Sequence, residues 1–293
     1  MSEKQQNGRK PEHRQNGPQS GHRSERQNGS RQGSRNRQSA ADGAKTPDEN
    51  LIEGRNAVRE ALRAGRVIDR VYVASGETDG TLQQLTAMAR QSGAVVSFVD
   101  RRKLSSMSPT GTHQGIIAVA AAHDYVSVEE ILQTAADRGE APLLVLCDEL
   151  TDPHNLGAIL RTAECAGAHG VIIPKRRSVG LTAAVARASA GAIEHMQVAR
   201  VSSLQQTMKD LQKAGIWIYG AAAEGTTGLY QADFRSPAAI VIGNEGAGLG
   251  RLIEQTCDYT VSIPMRGQIS SLNASVAAAV LLYEAVRQRY SGQ

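Results

Sequence analysis

The sequence predicts an α/β protein with two folded blocks behind a polar tail, on three observations. Short, wholly apolar runs such as Leu143 to Cys147 and Ala239 to Ile242 alternate with helix-length segments, the pattern of a parallel sheet covered on both faces. The turn signal Gly139-Glu140-Ala141-Pro142 divides the folded part in two. Two apolar runs near the carboxyl end stop in flexible backbone: Ala239 to Ile242 in Gly243-Asn244-Glu245-Gly246-Ala247-Gly248-Leu249, and Tyr259 to Ile263 in Pro264-Met265. In open α/β sheets ligands bind beyond the carboxyl ends of strands, so a site is expected there.

The tail comes first. Residues 1–49 hold 10 Lys and Arg against 6 Asp and Glu, whereas the rest of the 293-residue chain balances at 23 against 23, so the whole formal net charge of +4 lies in the tail. With almost no large apolar residue and three copies of Gln-Asn-Gly, it cannot offset its ordering entropy by burial and is expected to be disordered. It reads as an arm that attracts a polyanion or as a solubilising extension; it has no aromatic residue to stack on bases.

A small α/β domain is expected over 50–123. Ala57, Val58, Ala61 and Leu62 recur at helical spacing; a strand at Val71 to Val73, a helix over Leu82 to Ala89 and a strand at Val95 to Val99 follow. Gly111 to Gly115 reads as a loop and Ile116 to Ala122 as the last strand. An amphipathic helix over Ser127 to Arg138 occupies a linker, 124–141. The second domain, 142–293, alternates strands (Leu143 to Cys147, Val171 to Ile173, Ile216 to Tyr219, Ala239 to Ile242, Tyr259 to Ile263) with helices (Leu156 to Ala166, Leu181 to Ala190, Leu204 to Lys213, Asn273 to Tyr290).

Composition and position exclude several chemistries. Cys147, Cys165 and Cys257 are isolated in apolar surroundings, with no CxxC pair and no clustered histidines, so neither a disulfide framework nor a metal site is expected. No run approaches the ~18 apolar residues of a membrane span, and no hydrophobic signal region follows the arginine-rich start; a cytoplasmic protein without membrane partners is expected. The loop at Gly243 lacks the Gly-Lys-Ser/Thr of a nucleotide-binding loop. Instead of a dinucleotide fingerprint, the strand at Val145 leads into Asp148-Glu149-Leu150-Thr151-Asp152-Pro153-His154-Asn155. Asn155 is placed to cap the next helix. Arg161 lies on a mostly apolar segment, where an unpaired guanidinium is costly, so it should find a partner, either a ligand or a carboxylate such as Glu164 or Glu245.

Three segments together carry a resemblance: Asn155 to Arg161, the Gly-Asn-Glu-Gly-x-Gly-Leu loop at 243–249, and Ile263-Pro264-Met265 followed by Ser271-Leu272-Asn273-x-Ser275. In order and spacing they resemble the three motifs of the SpoU family of RNA ribose 2′-O-methyltransferases, of the SPOUT superfamily, over about residues 142 to 290. Glu53-Gly54-x-Asn56-x-Val58 and His113-Gln114-Gly115 are similar to the small, ribosomal-protein-like RNA-binding domain that precedes the catalytic domain in this family's ribosomal RNA guanosine enzymes. The resemblance implies a trefoil-knotted catalytic domain, a homodimer, S-adenosyl-L-methionine as cofactor and 23S ribosomal RNA, not DNA, as partner. It places the cofactor on Gly243, Ile263 and Leu272, with Met265 beside them, and catalysis on Asn155, Arg161, Glu245, Ser271 and Asn273.

A ribose hydroxyl is a poor nucleophile near neutral pH, so the implied enzyme must stabilise developing alkoxide and align oxygen, carbon and sulfur. Arg161 would supply charge as a hydrogen-bond donor, since arginine keeps its proton. Ser271 and Asn273 would orient Arg161 or the ribose, or simply cap the last helix. Glu245 would bind loop amides or Arg161. The alternatives are a transfer RNA ribose methyltransferase and an RNA-binding factor that has lost transfer.

Overall fold

The computed structural model of the chain describes residues 50–76 and 79–290. The basic tail expected over 1–49 lies outside the described residues. The first block comprises β1 (Leu51–Glu53), α1 (Arg55–Arg63), β2 (Ile68–Ala74), α2 (Gly80–Gln91), β3 (Val95–Val99), α3 (Arg101–Met107) and β4 (Ile116–Ala120). Its sheet runs β1-β4-β2-β3, with β4 antiparallel to both neighbours and β2 parallel to β3. Val58 of α1 and Leu82, Leu85 and Ala89 of α2 bury against Val71, Val73, Ile116 and Ala118. Asp79 and Asp100 cap α2 and α3 by accepting the Leu82 and Arg102 amides at 2.9 and 2.7 Å. β1 and α3 were not expected: β1 is three residues long, and only Leu104 of α3 is buried, which leaves no periodicity to read.

α4 (Val128–Asp137) opens on a capping box of Ser127 and Glu130. Its Ile131 packs with Leu144, Leu146 and Ile172, so this helix covers one face of the second sheet. That block continues through β5 (Leu143–Cys147), α5 (Pro153–Cys165), β6 (Gly170–Pro174), α6 (Ala183–Ala188), β7 (Val198–Val201), α7 (Leu204–Lys213), β8 (Trp217–Ala221), β9 (Thr227–Gly228), β10 (Ala238–Ile242), α8 (Arg251–Glu254), β11 (Tyr259–Ser262) and α9 (Ala274–Tyr290). The seven strands run β7-β6-β5-β10-β8-β11-β9, parallel throughout. Alternate residues of each strand serve opposite faces: Val145 and Cys147 pack with α5 and α9, Leu144 and Leu146 with α4 and α7. Gly157 permits the close approach of α5 and α6, because a Cβ there would collide with Ala188. The alanine-rich start of α9 does the same against α5, with Ala278 fully buried.

Two details of α5 differ from expectation. Its N-cap is Asp152, which accepts the His154 amide at 3.0 Å, so Asn155 lies inside the first turn and is buried. Cys165 is exposed at the other end, while Cys147 is buried and Cys257 intermediate.

A buried ionic cluster joins the small block to the large sheet. Asp69 of β2 accepts from Arg200 of β7 at 2.6 Å and from the Tyr125 hydroxyl at 2.7 Å, and Tyr125 in turn accepts the Leu181 amide at 2.9 Å. Side chains of the ion pair are only 7 and 6% exposed. Burial holds the Asp69 carboxyl above the usual carboxylate range despite the pull of Arg200.

Candidate active site

Inserting β10 between β5 and β8 brings the carboxyl ends of β8, β10 and β11 together, and there the sheet opens into a cleft of about 440 Å³. Ala221 to Glu224 form one wall, the glycine loop 243–249 a second, and Ile263, Met265, Ser270, Ser271 and Leu272 a third, with Ala274 and Ala277 of α9 at the base. Gly243, Ile263, Met265 and Leu272 therefore all line one cavity, with Glu245 and Ser271. The sequence reading missed Ala221 to Glu224. The available signal was the rule already applied to β10, that an apolar strand ending in a small-residue turn presents backbone to a ligand.

The glycine loop is a tight hairpin. Asn244 and Gly248 exchange two backbone hydrogen bonds, at 3.0 and 2.8 Å, and Gly248 takes a left-handed φ of 67°. A Cβ at Gly243 would collide with the Gly248 backbone, so glycine is required there. Asn244, unremarked in the sequence, holds the loop: its Oδ1 accepts the Gly246 and Ala247 amides at 3.0 and 3.4 Å, and its Nδ2 donates to the Glu149 carbonyl at 3.3 Å. The Gly250 amide donates to Asp148 at 2.8 Å. Asp148 lies at the buried end of β5, where desolvation keeps its carboxyl above the ordinary range.

Three of the five candidate catalytic residues form one hydrogen-bonded chain. The Asn155 amide nitrogen donates to Glu245, and its oxygen accepts from Asn273 Nδ2 at 2.9 Å. Asn273 also caps α9, its Oδ1 accepting the Ser275 and Val276 amides at 3.0 and 3.3 Å, so its capping and site roles coexist. Glu245 thus meets Asn155 rather than loop amides or Arg161. Ser271 lies in the cleft wall.

Arg161 is not brought to this chain of contacts. Six residues at about 100° each turn it roughly 120° away from Asn155 around the helix, and it is exposed. Among the described residues it has no ion pair, neither with Glu164 nor with Glu245. The apolar segment buries Leu156, Ile159, Leu160 and Ala163 on one face and leaves Arg161 on the other.

The cleft's lining discriminates between ligands. Glu224, Glu245 and Glu254 contribute carboxylates, Ile242, Leu249, Ile263 and Leu272 apolar surface, and among the described residues no Lys, Arg or His is part of it. A phosphate-bearing cofactor would find no counter-charge, whereas a ligand combining a flat apolar ring with a cationic centre fits. S-adenosylmethionine, with its adenine and sulfonium, has that chemistry. Among the described residues no group of three or more His, Cys, Asp or Glu is placed to hold a metal ion, and no helix is long and apolar enough to cross a membrane.

Comparison with known proteins agrees with this geometry. The SpoU rRNA methylase family matches residues 142–283, and the RNA 2′-O ribose methyltransferase substrate-binding family matches 51–126. YacO of Bacillus subtilis (strain 168), assigned to the TrmH family of tRNA/rRNA methyltransferases, is 45% identical over 238 residues, 81% of this chain and 95% of that protein. An uncharacterized tRNA/rRNA methyltransferase of Synechocystis, slr0955, is 43% identical over 240 residues, and the chain spans 82% of itself but 62% of that longer protein. The crystal structure of the SpoU methyltransferase AviRb from Streptomyces viridochromogenes, in complex with AdoMet, aligns with a TM-score of 0.53 at 31% identity, covering 83% of this chain and 91% of AviRb. The chain belongs to the SpoU family of RNA methyltransferases.

Proposed function

We propose that the protein methylates the ribose 2′-oxygen of a guanosine in 23S ribosomal RNA, using S-adenosylmethionine held in the cleft by Gly243, Ile263, Met265 and Leu272. The observation that carries this reading is the cleft itself, acid-lined, without a basic side chain among its described lining residues, and bounded by two of the motif segments, to which the third is tied through the Asn155–Glu245 hydrogen bond. The ribosomal substrate is supported by the small block over 51–126 that precedes the catalytic domain.

The cofactor supplies a methyl group already activated on a sulfonium, so the protein's task is to prepare the oxygen. The Glu245–Asn155–Asn273 chain fixes the glycine loop, the start of α5 and the start of α9 relative to one another. Ser271, at the cleft wall, orients the ribose. Arg161 donates hydrogen bonds to the developing alkoxide, and the ribose proton leaves to phosphate or water.

The exposed position of Arg161 is accounted for by a homodimer. On α9, Val276, Tyr283 and Tyr290 are 47, 50 and 45% exposed at intervals of seven residues, an apolar stripe that two subunits can bury together. Across that interface Arg161 of one subunit serves the cleft of the other. We further propose that the chain after β10 is threaded into a trefoil knot, which supports the loops at 243–249 and 263–273 by closing them against one another.

The test is methyl transfer. Purified protein should bind S-adenosylmethionine in calorimetry and move a labelled methyl group onto 23S RNA from total RNA, leaving the adjoining phosphodiester resistant to alkali. Label recovered in transfer RNA would reassign the substrate, and cofactor binding without transfer would mark an RNA-binding factor.

A further inference from the structure

The carboxyl edge of the large sheet bears a second charged feature beside the cleft. β6 runs out into Lys175-Arg176-Arg177, a basic turn at the end of the sheet where the cleft opens. Lys175 crosses to the small domain: a Cβ on Gly93, just past the end of α2, would stand 3.5 Å from its Nζ, so the ammonium lies at a helix carboxyl terminus, where a cation is favoured. The turn's other side is held by the Leu150 carbonyl, which accepts from the Ser178 hydroxyl at 3.1 Å and the Val179 amide at 2.8 Å. Asp148-Glu149-Leu150 thus lies between two loops, because Asp148 and Glu149 hold Gly250 and Asn244 of the glycine loop.

Glu149 and Arg177 both adopt left-handed backbone, with φ of 53 and 57°, which residues with a Cβ seldom do. Their side chains pair at 2.9 Å while 46 and 78% exposed. An exposed pair contributes little stability, so folding alone does not call for two unusual backbones to converge on it.

We propose that Arg176 and Arg177 form a phosphate-binding turn that receives the RNA backbone between the small domain and the cleft, and that an RNA phosphate displaces Glu149 from Arg177. A guanidinium binds phosphate bidentately, and an RNA that engages both the small domain and the cleft has to pass their junction. The inference rests on RNA being the substrate.

The test is filter binding of full-length protein to 23S RNA from about 50 to about 200 mM salt, with S-adenosylmethionine affinity measured in parallel. The Arg176→Gln/Arg177→Gln double variant should bind RNA about tenfold more weakly at low salt, with a slope of log affinity against log salt flatter by about 1.4 to 1.8, the loss of two phosphate contacts. Its cofactor affinity should not change. Glu149→Gln should tighten RNA binding by about threefold, the fold-change an exposed ion pair represents. Lys213→Gln, which breaks a similar exposed pair with Asp210 at the opposite edge of the sheet, should leave the slope unaltered. A wild-type slope in the double variant, or weaker binding by Glu149→Gln, overturns the inference. Binding is scored without transfer: a protein that holds RNA through the turn yet moves no methyl group keeps this inference and sinks the functional reading, and the reverse pattern does the opposite.

Discussion

At the scale of single residues, Arg161 and Asn155 separate two jobs that the motif joins. Asn155 is buried between Glu245 and Asn273, which suits the positioning role proposed for it; Arg161 faces outward, and the role proposed for it is to supply charge. Arg161→Lys should therefore lower turnover by about a hundredfold or more while cofactor affinity stays near wild type, because a point charge does not replace a planar fork of donors. Parallel loss of cofactor affinity in calorimetry would make Arg161 structural instead. His169 gives a pH signature. Its Nδ1 accepts the Leu143 amide at 3.0 Å and its Nε2 lies 3.0 Å from Glu140, while burial holds the ring below its ordinary pKa of 6.5. Between the folded value and 6.5 the unfolded chain binds the extra proton, so the neutral ring's contribution is full above 6.5 and is lost as pH falls through the lower folded value. Denaturation midpoints taken across that range should fall more for wild type than for His169→Gln. Equal declines would remove His169 from the account.

At the scale of elements, what was legible followed apolar periodicity, and what was not followed long-range compensation. The strands Val95–Val99 and Leu143–Cys147 and the helix Leu204–Lys213 match their expected bounds, because each is a β-rich apolar run, broken only by Ser97 in the first, or a clear amphipathic repeat. β7 was invisible because Arg200 breaks its run, and the carboxylate that neutralises it, Asp69, is 131 residues away in the chain. β9 and α8, of two and four residues, are too short for any period. In the site, the two motif loops at 243–249 and 264–265 were legible as strand ends, whereas the Ala221 to Glu224 wall and the Asn244 cap depend on how strands are ordered in space. The Asp69–Arg200 pair should therefore behave as a buried ion pair between blocks. Arg200→Met alone should cost about 3–5 kcal/mol by stranding Asp69, and adding Asp69→Leu should recover most of it. Chemical denaturation of the two variants measures this; equal stability of single and double variants would mean that the pair is effectively solvated.

At the scale of the whole molecule, the parts are distinct: the small block matches the substrate-binding family, the parallel sheet gathers three loops into an acid-lined cleft, and α9 exposes the apolar stripe proposed to meet a second copy. If Arg161 acts across the dimer, two defective proteins can repair each other. Arg161→Ala lacks the charge but keeps a sound cleft, and Leu272→Asp should lose cofactor binding by placing an unpaired carboxylate against the adenine site while keeping Arg161. Mixed after subunit exchange, they should regain up to about a quarter of wild-type activity, the share of sites that combine both intact parts, each from a different subunit. No recovery despite heterodimers would place Arg161 at its own subunit's cleft.

The reaction proposed for this cleft is methylation of a ribose oxygen in ribosomal RNA. Mapping alkali-resistant linkages in 23S RNA from cells with and without the gene tests it most directly. One guanosine linkage should become alkali-labile when the gene is removed and be protected again by the wild-type gene but not by the Arg161→Ala form. An unchanged 23S map would contradict it, as would protection restored by Arg161→Ala.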